Sequence, residues 1–251
     1  IVTIPSYRST KDIEQDADLI EEIGRIIGFD NIEEQAPLTA VRPVSLSPAK
    51  KLHRKISDYL QYNNYLEIMT HPLVGEELLN ECVWPTKNEE LVLVNALSIE
   101  SNRMRPTLVA SAINAASKNT KNYSRFNFFE IGRSYLSDKT HFKVENNQLL
   151  VALFDKNQNR YMELMNTVEN ILNLMNLSYQ FITGEQKFPN TVIPHNWKGN
   201  HPHEYTHVKI MGKLLGAVTT VHPLVLKNFK IKGNLHIAVI DLESFEEKET
   251  A

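Results

Sequence analysis

The chain has 251 residues, 42% hydrophobic and 23% charged, with a net charge of −3 and a single cysteine. That is enough to bury the core of one large domain or two modest ones, and no apolar run has the length of a membrane span or the layout of a secretory leader. Cys82 alone excludes an internal disulfide and a thiolate metal cluster, which fits a reducing, cytoplasmic setting. The first residue is Ile1 instead of Met, as expected for a piece of a longer protein. Charge is uneven: residues 1–35 hold nine Asp or Glu against three Lys or Arg, and the remainder holds 21 against 24. Neither part has the strong positive field of a protein that holds nucleic acid by charge alone.

The first predicted element is a helix within "DIEQDADLIEEIGRIIGFD", residues 12–30. At 3.6 residues per turn Ile13, Ala17, Ile20, Gly24 and Ile27 share one face, and Glu14, Asp18, Glu21, Glu22 and Arg25 the opposite one. Asp12 and Gln15 have the spacing of a capping box, and acids in the first turn complement the helix dipole. Asp18, Glu21 and Glu22 lie further along and stack like charges, which repel unless a cation or a basic partner sits there. Two readings stay open: a cation on this face, or Arg25 pairing with Glu21 and Glu22 on a solvated surface.

The proline-bearing "QAPLTAVRPVSLSP" reads as a break, so the expected division is a helical piece over 1–35, a linker over 36–48 and a second domain over 49–251. An amphipathic helix follows in "AKKLHRKISDYLQYNNY", with Leu52, Ile56 and Leu60 on one face and Lys50, Lys51, Arg54 and Lys55 around it. Its "KKLHRK" is either a solvated face or a contact for a phosphate backbone. Then come extended "YLEIMTHPL", a strand "ELVLVNAL", an Ala-rich helix "PTLVASAINAASKN", strands "RFNFFEIGRSYL" and "NNQLLVALF", and a helix on which Tyr161, Leu164, Val168, Ile171 and Met175 keep helical spacing. Strands "THVKIM", "KLLGAVTTV" and "LHIAVIDL" close the chain, the first two joined through "MGK" as a hairpin. The fold class is α+β, an antiparallel sheet with helices on one side.

Three clusters could carry chemistry. Glu100, Arg103 and Arg105 in "VNALSIESNRMRPTL" crowd a strand-to-helix turn, where they either grip an anion or brace the turn as an arginine–glutamate network. His201, His203, Glu204 and His207 could ligate a metal, but Pro202 and the strand after it argue against a helical zinc pair. The acids of the first helix are the third cluster. Walker loops, dinucleotide fingerprints and nucleophile elbows are absent from the sequence.

Three stretches resemble the beta subunit of phenylalanyl-tRNA synthetase. "PSYRSTKDIEQDADLIEEIGRIIGFDNI" is similar to a segment in which "R…DI" precedes "E.DL.EEI.R..GYDNI". "LVNALSIESNRMRPTLVASAINAASKNTKNYSRFNFFEIGRSY" is similar to "L.NPLS.E...MR.SLLPGLL.....N..R.....LFEIG..F", and "GNHPHEYTHVKIMGKLLGAVTTVHPLVLKNF" to "HPGR.A.I...G..IG..G..HP.VL..F". They lie in the family's order over most of the chain.

The resemblance implies the end of a small helical domain followed by a degenerate class II aminoacyl-tRNA synthetase-like core. It implies a beta subunit that is inactive alone, supports assembly with the catalytic alpha subunit, and meets tRNA through the whole enzyme. It also implies magnesium at Asp12, Asp18, Glu21 and Glu22, shared with the alpha subunit. Residues 49–70 would correspond to the helix and strand that build the class II subunit interface, with Leu52, Ile56 and Leu60 as its apolar positions. Class II chemistry uses arginines to neutralise the ATP phosphates, and the last two strands contain none. Departures from the pattern are His203 and Glu204 in place of Gly and Arg after "HP", "NNYLE" in place of "GF.E", and a short stretch between Leu136 and Tyr161. The alternatives are a free-standing paralogue that acts as a binding module and a ligase with its own adenylate site.

Overall fold

The computed structural model describes residues 2–85, 91–136, 144–183 and 192–245. The chain divides into two compact units, Ile1–Ser45 and Leu46–Ala251. No helix among the described residues is long and apolar enough to cross a membrane.

In the first unit helix α1 spans Asp16–Ile27. Its N-cap is Gln15, and the Asp18 carboxylate reaches back to accept from the backbone N–H groups of Glu14 and Gln15, both at 2.8 Å. The capping box is therefore Gln15 with Asp18, not Asp12 with Gln15. Asp12 lies before the helix, in a turn that bends where Lys11 adopts a left-handed φ of 59°. Ile13 and Gly24 are buried, whereas Ile20 and Ile27 of the same apolar face stay exposed. Residues 33–47 form no helix or strand.

The second unit opens with α2 (Pro48–Tyr62), capped by Ser47, whose hydroxyl accepts from Lys50 N at 3.3 Å, with Pro48 where no backbone donor is needed. Next in chain order are β1 (Leu66–Glu67), β2 (Leu73–Val74), α3 (Glu76–Glu81), β3 (Arg103–Met104), α4 (Leu108–Asn119), β4 (Arg125–Leu136) and β5 (Val144–Asp155). They are followed by α5 (Tyr161–Leu174), β6 (Tyr179–Thr183), β7 (Asn200–Ile210), β8 (Lys213–Val221), α6 (Pro223–Asn228) and β9 (Asn234–Asp241). The main sheet has the order β1-β4-β5-β9-β8-β7-β6, while β2 and β3 pair separately. Every main-sheet neighbour is antiparallel except β1, which runs parallel to β4.

Helices cover both faces of this sheet, where the sequence reading expected one. Along β5, Leu149, Val151 and Leu153 pack with Leu52, Ile56 and Leu60 of α2 and Leu164, Val168 and Ile171 of α5. Leu150, Ala152 and Phe154 point the other way, into a cluster with Leu79, Ile113, Val225 and Trp197. A continuous apolar run such as "LLVALF" has no solvent side, so its sheet must be covered twice.

Three other expectations change. "ELVLVNAL" is no strand in its described part: Val92 makes one bridge to Arg103, and Val94 and Leu97 stand in solvent. β7 begins at Asn200, six residues before the predicted strand "THVKIM", so His201 and His203 lie on the strand along with His207. α3, β6 and α6 were not anticipated, because each is only five or six residues long. The hairpin at "MGK" is present, with Met211 and Gly212 both left-handed at φ 49° and 82°, as a two-residue turn with the twist of its strands requires.

Candidate functional site

Two ends of the main sheet and the acidic turn of the first unit gather the polar side chains. At the first sheet end, Arg105 leaves β3 and Glu130 rises from the middle of β4, both almost fully buried. Arg105 Nη1 donates to Glu130 Oε1 at 2.8 Å and to Thr70 Oγ1 at 2.6 Å, and the Thr70 hydroxyl donates to Glu130 Oε2 at 2.6 Å. Arg105 Nε donates to the carbonyl of Arg133 at 2.8 Å. Gly132 makes room for this: a Cβ there would lie 2.5 Å from Arg105 Nη2. A buried guanidinium already paired with a buried carboxylate serves as a structural joint rather than as a free cation for a phosphate.

The expected network of Glu100, Arg103 and Arg105 is split. Successive residues of an extended strand point to opposite sides, so Arg103 and Arg105, two apart, could share a side, yet their partners differ. Arg103 Nη2 pairs with Glu76 at 2.9 Å, whereas the Glu100 carboxylate makes no ion pair among the described residues. The remaining arginines on or beside the sheet also lie near carboxylates. Arg133 pairs with Glu145 at 2.6 Å, Arg160 with Glu163 at 2.5 Å, and Arg125 lies 3.9 Å from Asp155 and 3.6 Å from Glu163.

At the opposite sheet end a hydrogen-bonded chain runs from α5 through β9 and β8 to β7. The backbone N–H of Arg160 donates to His236 Nε2 at 2.9 Å, so the ring proton sits on Nδ1, which donates to Thr220 Oγ1 at 2.7 Å. The Thr220 hydroxyl in turn donates to Glu204 Oε2. Asn159 donates to Glu204 Oε1 at 2.6 Å, with its amide oriented by the Tyr161 N–H on its own Oδ1. Burial pushes the His236 pKa down to about 4, so the imidazole is neutral. Burial favours the neutral form of Glu204, but the Thr220 and Asn159 hydrogen bonds outweigh it and hold the carboxyl below its ordinary pKa. His201 and His203 contact one another, and His207 is buried beside Tyr205. Among the described residues, no three of the four residues read as possible metal ligands are placed to hold one ion. Cys82 is buried, and desolvation raises its thiol pKa far above the ordinary value, which removes it as a nucleophile.

In the first unit the acids meet a residue outside the predicted helix. Arg8 Nε pairs with Asp12 at 2.7 Å, and Arg8 Nη2 with Glu22 at 2.7 Å, while Arg25 approaches Glu22 at 3.4 Å. The Arg8 guanidinium lowers the pKa of both carboxyls, and the two backbone donors lower that of Asp18. Glu21 is exposed. Hence Asp12, Asp18 and Glu22 already have partners, and as arranged the four acids do not make a magnesium site within this chain. Among the described residues no group of three or more His, Cys, Asp or Glu is placed to hold a metal ion.

Leu52, Ile56 and Leu60, expected at a subunit interface, are buried in the second unit's own core. Their assignment as interface positions is corrected for a simple reason: the apolar stripe of α2 is consumed by β4, β5 and α5.

The family described as "Phenylalanyl tRNA synthetase beta chain CLM domain" matches residues 32–242, and the "tRNA synthetase B5 domain" matches residues 1–29. The chain belongs to the phenylalanyl-tRNA synthetase beta chain family. Similar relatives include phenylalanine–tRNA ligase beta subunits of Clostridium tetani, 26% identical over 96% of this chain and 30% of that protein, and of Legionella pneumophila strain Paris, 28% identical over 97% and 30%. The chain thus spans about three-tenths of these curated relatives. A pyrrolysyl-tRNA synthetase of Desulfitobacterium hafniense shares its fold, with a TM-score of 0.61 over 77% of this chain and 64% of that one at 13% identity. The expected class II synthetase-like fold is therefore present.

Within this beta-chain fold the sequence reading missed Glu130, Thr70 and Arg8 as partners. Arg8 stands in the resembling stretch "PSYRST", four residues before Asp12, a spacing that already allowed an ion pair. Glu130 sits in an apolar strand, where a lone acid signals a buried counter-charge. The pairing of His236 with Thr220 had no local signal, since the two are 16 residues apart and meet only across strands.

Proposed function

We infer that this chain is the non-catalytic synthetase-like part of a phenylalanine–tRNA ligase beta subunit. It works in the cytoplasm and supports assembly with the catalytic alpha subunit, which attaches phenylalanine to its tRNA using ATP; tRNA is met by the whole enzyme. The observation that carries the reading is the commitment of the sheet's arginines. Arg103, Arg105, Arg125, Arg133 and Arg160 all lie beside carboxylates, which competes with their use on the phosphates of ATP. Residues 1–35 act as the end of a small helical domain and residues 49–251 as the core.

Because Leu52, Ile56 and Leu60 serve the interior, the alpha subunit meets other positions. Val94, Leu97 and Ile99 are more than four-fifths exposed on one projecting loop and form the better apolar surface for a subunit contact. Magnesium at Asp12, Asp18, Glu21 and Glu22 requires the alpha subunit to add ligands and Arg8 to release Asp12 and Glu22.

The test is co-expression with the alpha subunit of the same organism. The chain alone should give no phenylalanine-dependent pyrophosphate exchange, and the assembled enzyme should give it. Exchange by a preparation free of alpha subunit overturns the reading. A Leu97→Ser, Ile99→Ser variant should fold as the parent does and lose co-purification; unchanged co-purification overturns the contact surface.

A further inference from the structure

A cleft of about 520 Å³ opens beside the buried chain of hydrogen bonds that ends at Glu204, between the start of α5 and the segment linking α6 to β9. Its rim carries Lys227, Lys230 and Lys232, none of which has an ion pair or side-chain hydrogen bond among the described residues. Three unpaired ammonium groups around one hollow repel each other and attract an anion. Pro223, Leu226 and Ile231 supply an apolar wall.

Glu204 lies in the same wall and is held in one orientation from both sides. Thr220 donates to one carboxylate oxygen and Asn159 to the other, and both donors are themselves fixed, by His236 and by the Tyr161 N–H. The ionised carboxylate keeps further lone pairs and accepts only N–H or O–H donors. A ligand that satisfies the whole cleft therefore has an anionic end for the lysines, a flat or apolar body for the wall, and hydroxyl or amino donors for Glu204.

We propose that this cleft binds a nucleoside 5′-phosphate, with the phosphate on Lys227, Lys230 and Lys232 and the ribose hydroxyls on Glu204. A carboxylate facing vicinal hydroxyls is the way many nucleotide sites hold ribose, and the volume suits a ligand of this size. The phosphate and ribose can come from a free nucleotide or from an RNA strand. The inference uses the cleft alone, so it stands or falls apart from the assembly proposed above.

The experiment is hydrogen–deuterium exchange of the full-length protein, with its partner subunit if one co-purifies, read on peptides covering residues 222–234. AMP should protect this segment saturably, 2′,3′-dideoxy-AMP should protect it about 5-fold more weakly, and inorganic phosphate more weakly still. Lys230→Ala with Lys232→Ala should raise the AMP concentration for half-protection about 10-fold. These lysines are exposed, so the variant keeps its fold. Glu204→Gln should weaken AMP about 5-fold without weakening inorganic phosphate, since it removes a hydroxyl acceptor and a repelling charge together. Tighter protection by a 5′-phosphorylated RNA tetranucleotide than by AMP identifies RNA as the source, and equal protection identifies the free nucleotide. The proposal is overturned if no probe protects residues 222–234, if inorganic phosphate does so as well as AMP, or if the lysine variant binds AMP like the parent.

Discussion

Arg8 in the first unit and Arg105 in the second both bridge a carboxylate, and the two sites differ in burial more than in chemistry. The side chains of Arg8, Asp12 and Glu22 keep about a third to a half of their surface in water, whereas Arg105 and Glu130 keep 5% and 2%. Water and salt can replace either partner at the first site, so its ion pairs are exchangeable and compatible with a competing cation. At the second site neither charge can be left alone, and Thr70 and the Arg133 carbonyl complete a closed set of hydrogen bonds. The same ion pair is thus a surface setting in one region and a structural joint in the other.

The largest expected effect comes from unbalancing the buried joint. Glu130→Ala should cost about 3–5 kcal/mol in denaturant unfolding, because it leaves the Arg105 guanidinium buried and unpaired. The double change Arg105→Met, Glu130→Leu should recover most of that loss. A single variant as stable as the parent would erase the contrast with Arg8.

Burial acts in the same way on a lone ionisable group. Folding holds His236 neutral down to about pH 4, whereas the unfolded chain protonates it near 6.5. The unfolded state therefore binds more protons in between. This contribution is whole above about pH 6.5 and declines as pH falls toward 4, by up to about 3 kcal/mol. The lowered Glu204 carboxyl adds its own loss only below its ordinary value of 4.5, so unfolding measured from pH 6.5 to 5 isolates the histidine. His236→Gln should flatten that slope.

Space at the joint is the third handle. Gly132→Ala would place its methyl group against Arg105 Nη2 and should cost about 2 kcal/mol by overpacking, with a smaller effect if the guanidinium can shift. At the exposed site, Arg8→Ala should leave the melting temperature of the assembled protein close to the parent's and increase its magnesium affinity, read by calorimetry. A large fall in melting temperature would show that the Arg8 pairs are structural after all.

Much of the second unit was readable in advance. The helical spacing of Leu164, Val168 and Ile171 fell within one residue of α5, and "MGK" marked its hairpin because Gly tolerates the left-handed φ the turn needs. "ELVLVNAL" misled because an alternating apolar pattern looks like a half-buried strand whether or not a partner strand exists. Here the chain offers Val92 a single bridge, and Val94 and Leu97 project. The acids of α1 were legible as a cluster, but not their partners, because the clustered residues are local in sequence and Arg8 folds onto Glu22 across 14 residues.

Local propensity and hydrophobic period were sufficient for the elements that are long and amphipathic, since those signals depend only on neighbours along the chain. The assignments they left open all concern pairings between distant residues. Whether the stripe of Leu52, Ile56 and Leu60 faces a partner or the interior depends on where β5 and α5 lie. Whether Arg105 grips a ligand or Glu130 depends on the register of β4, and whether Glu204 is a metal ligand or the end of a hydrogen-bonded chain depends on β8 and β9 lying alongside β7. Charge and burial are properties of a three-dimensional neighbourhood, and the same side chain acquires a different role when that neighbourhood closes around it.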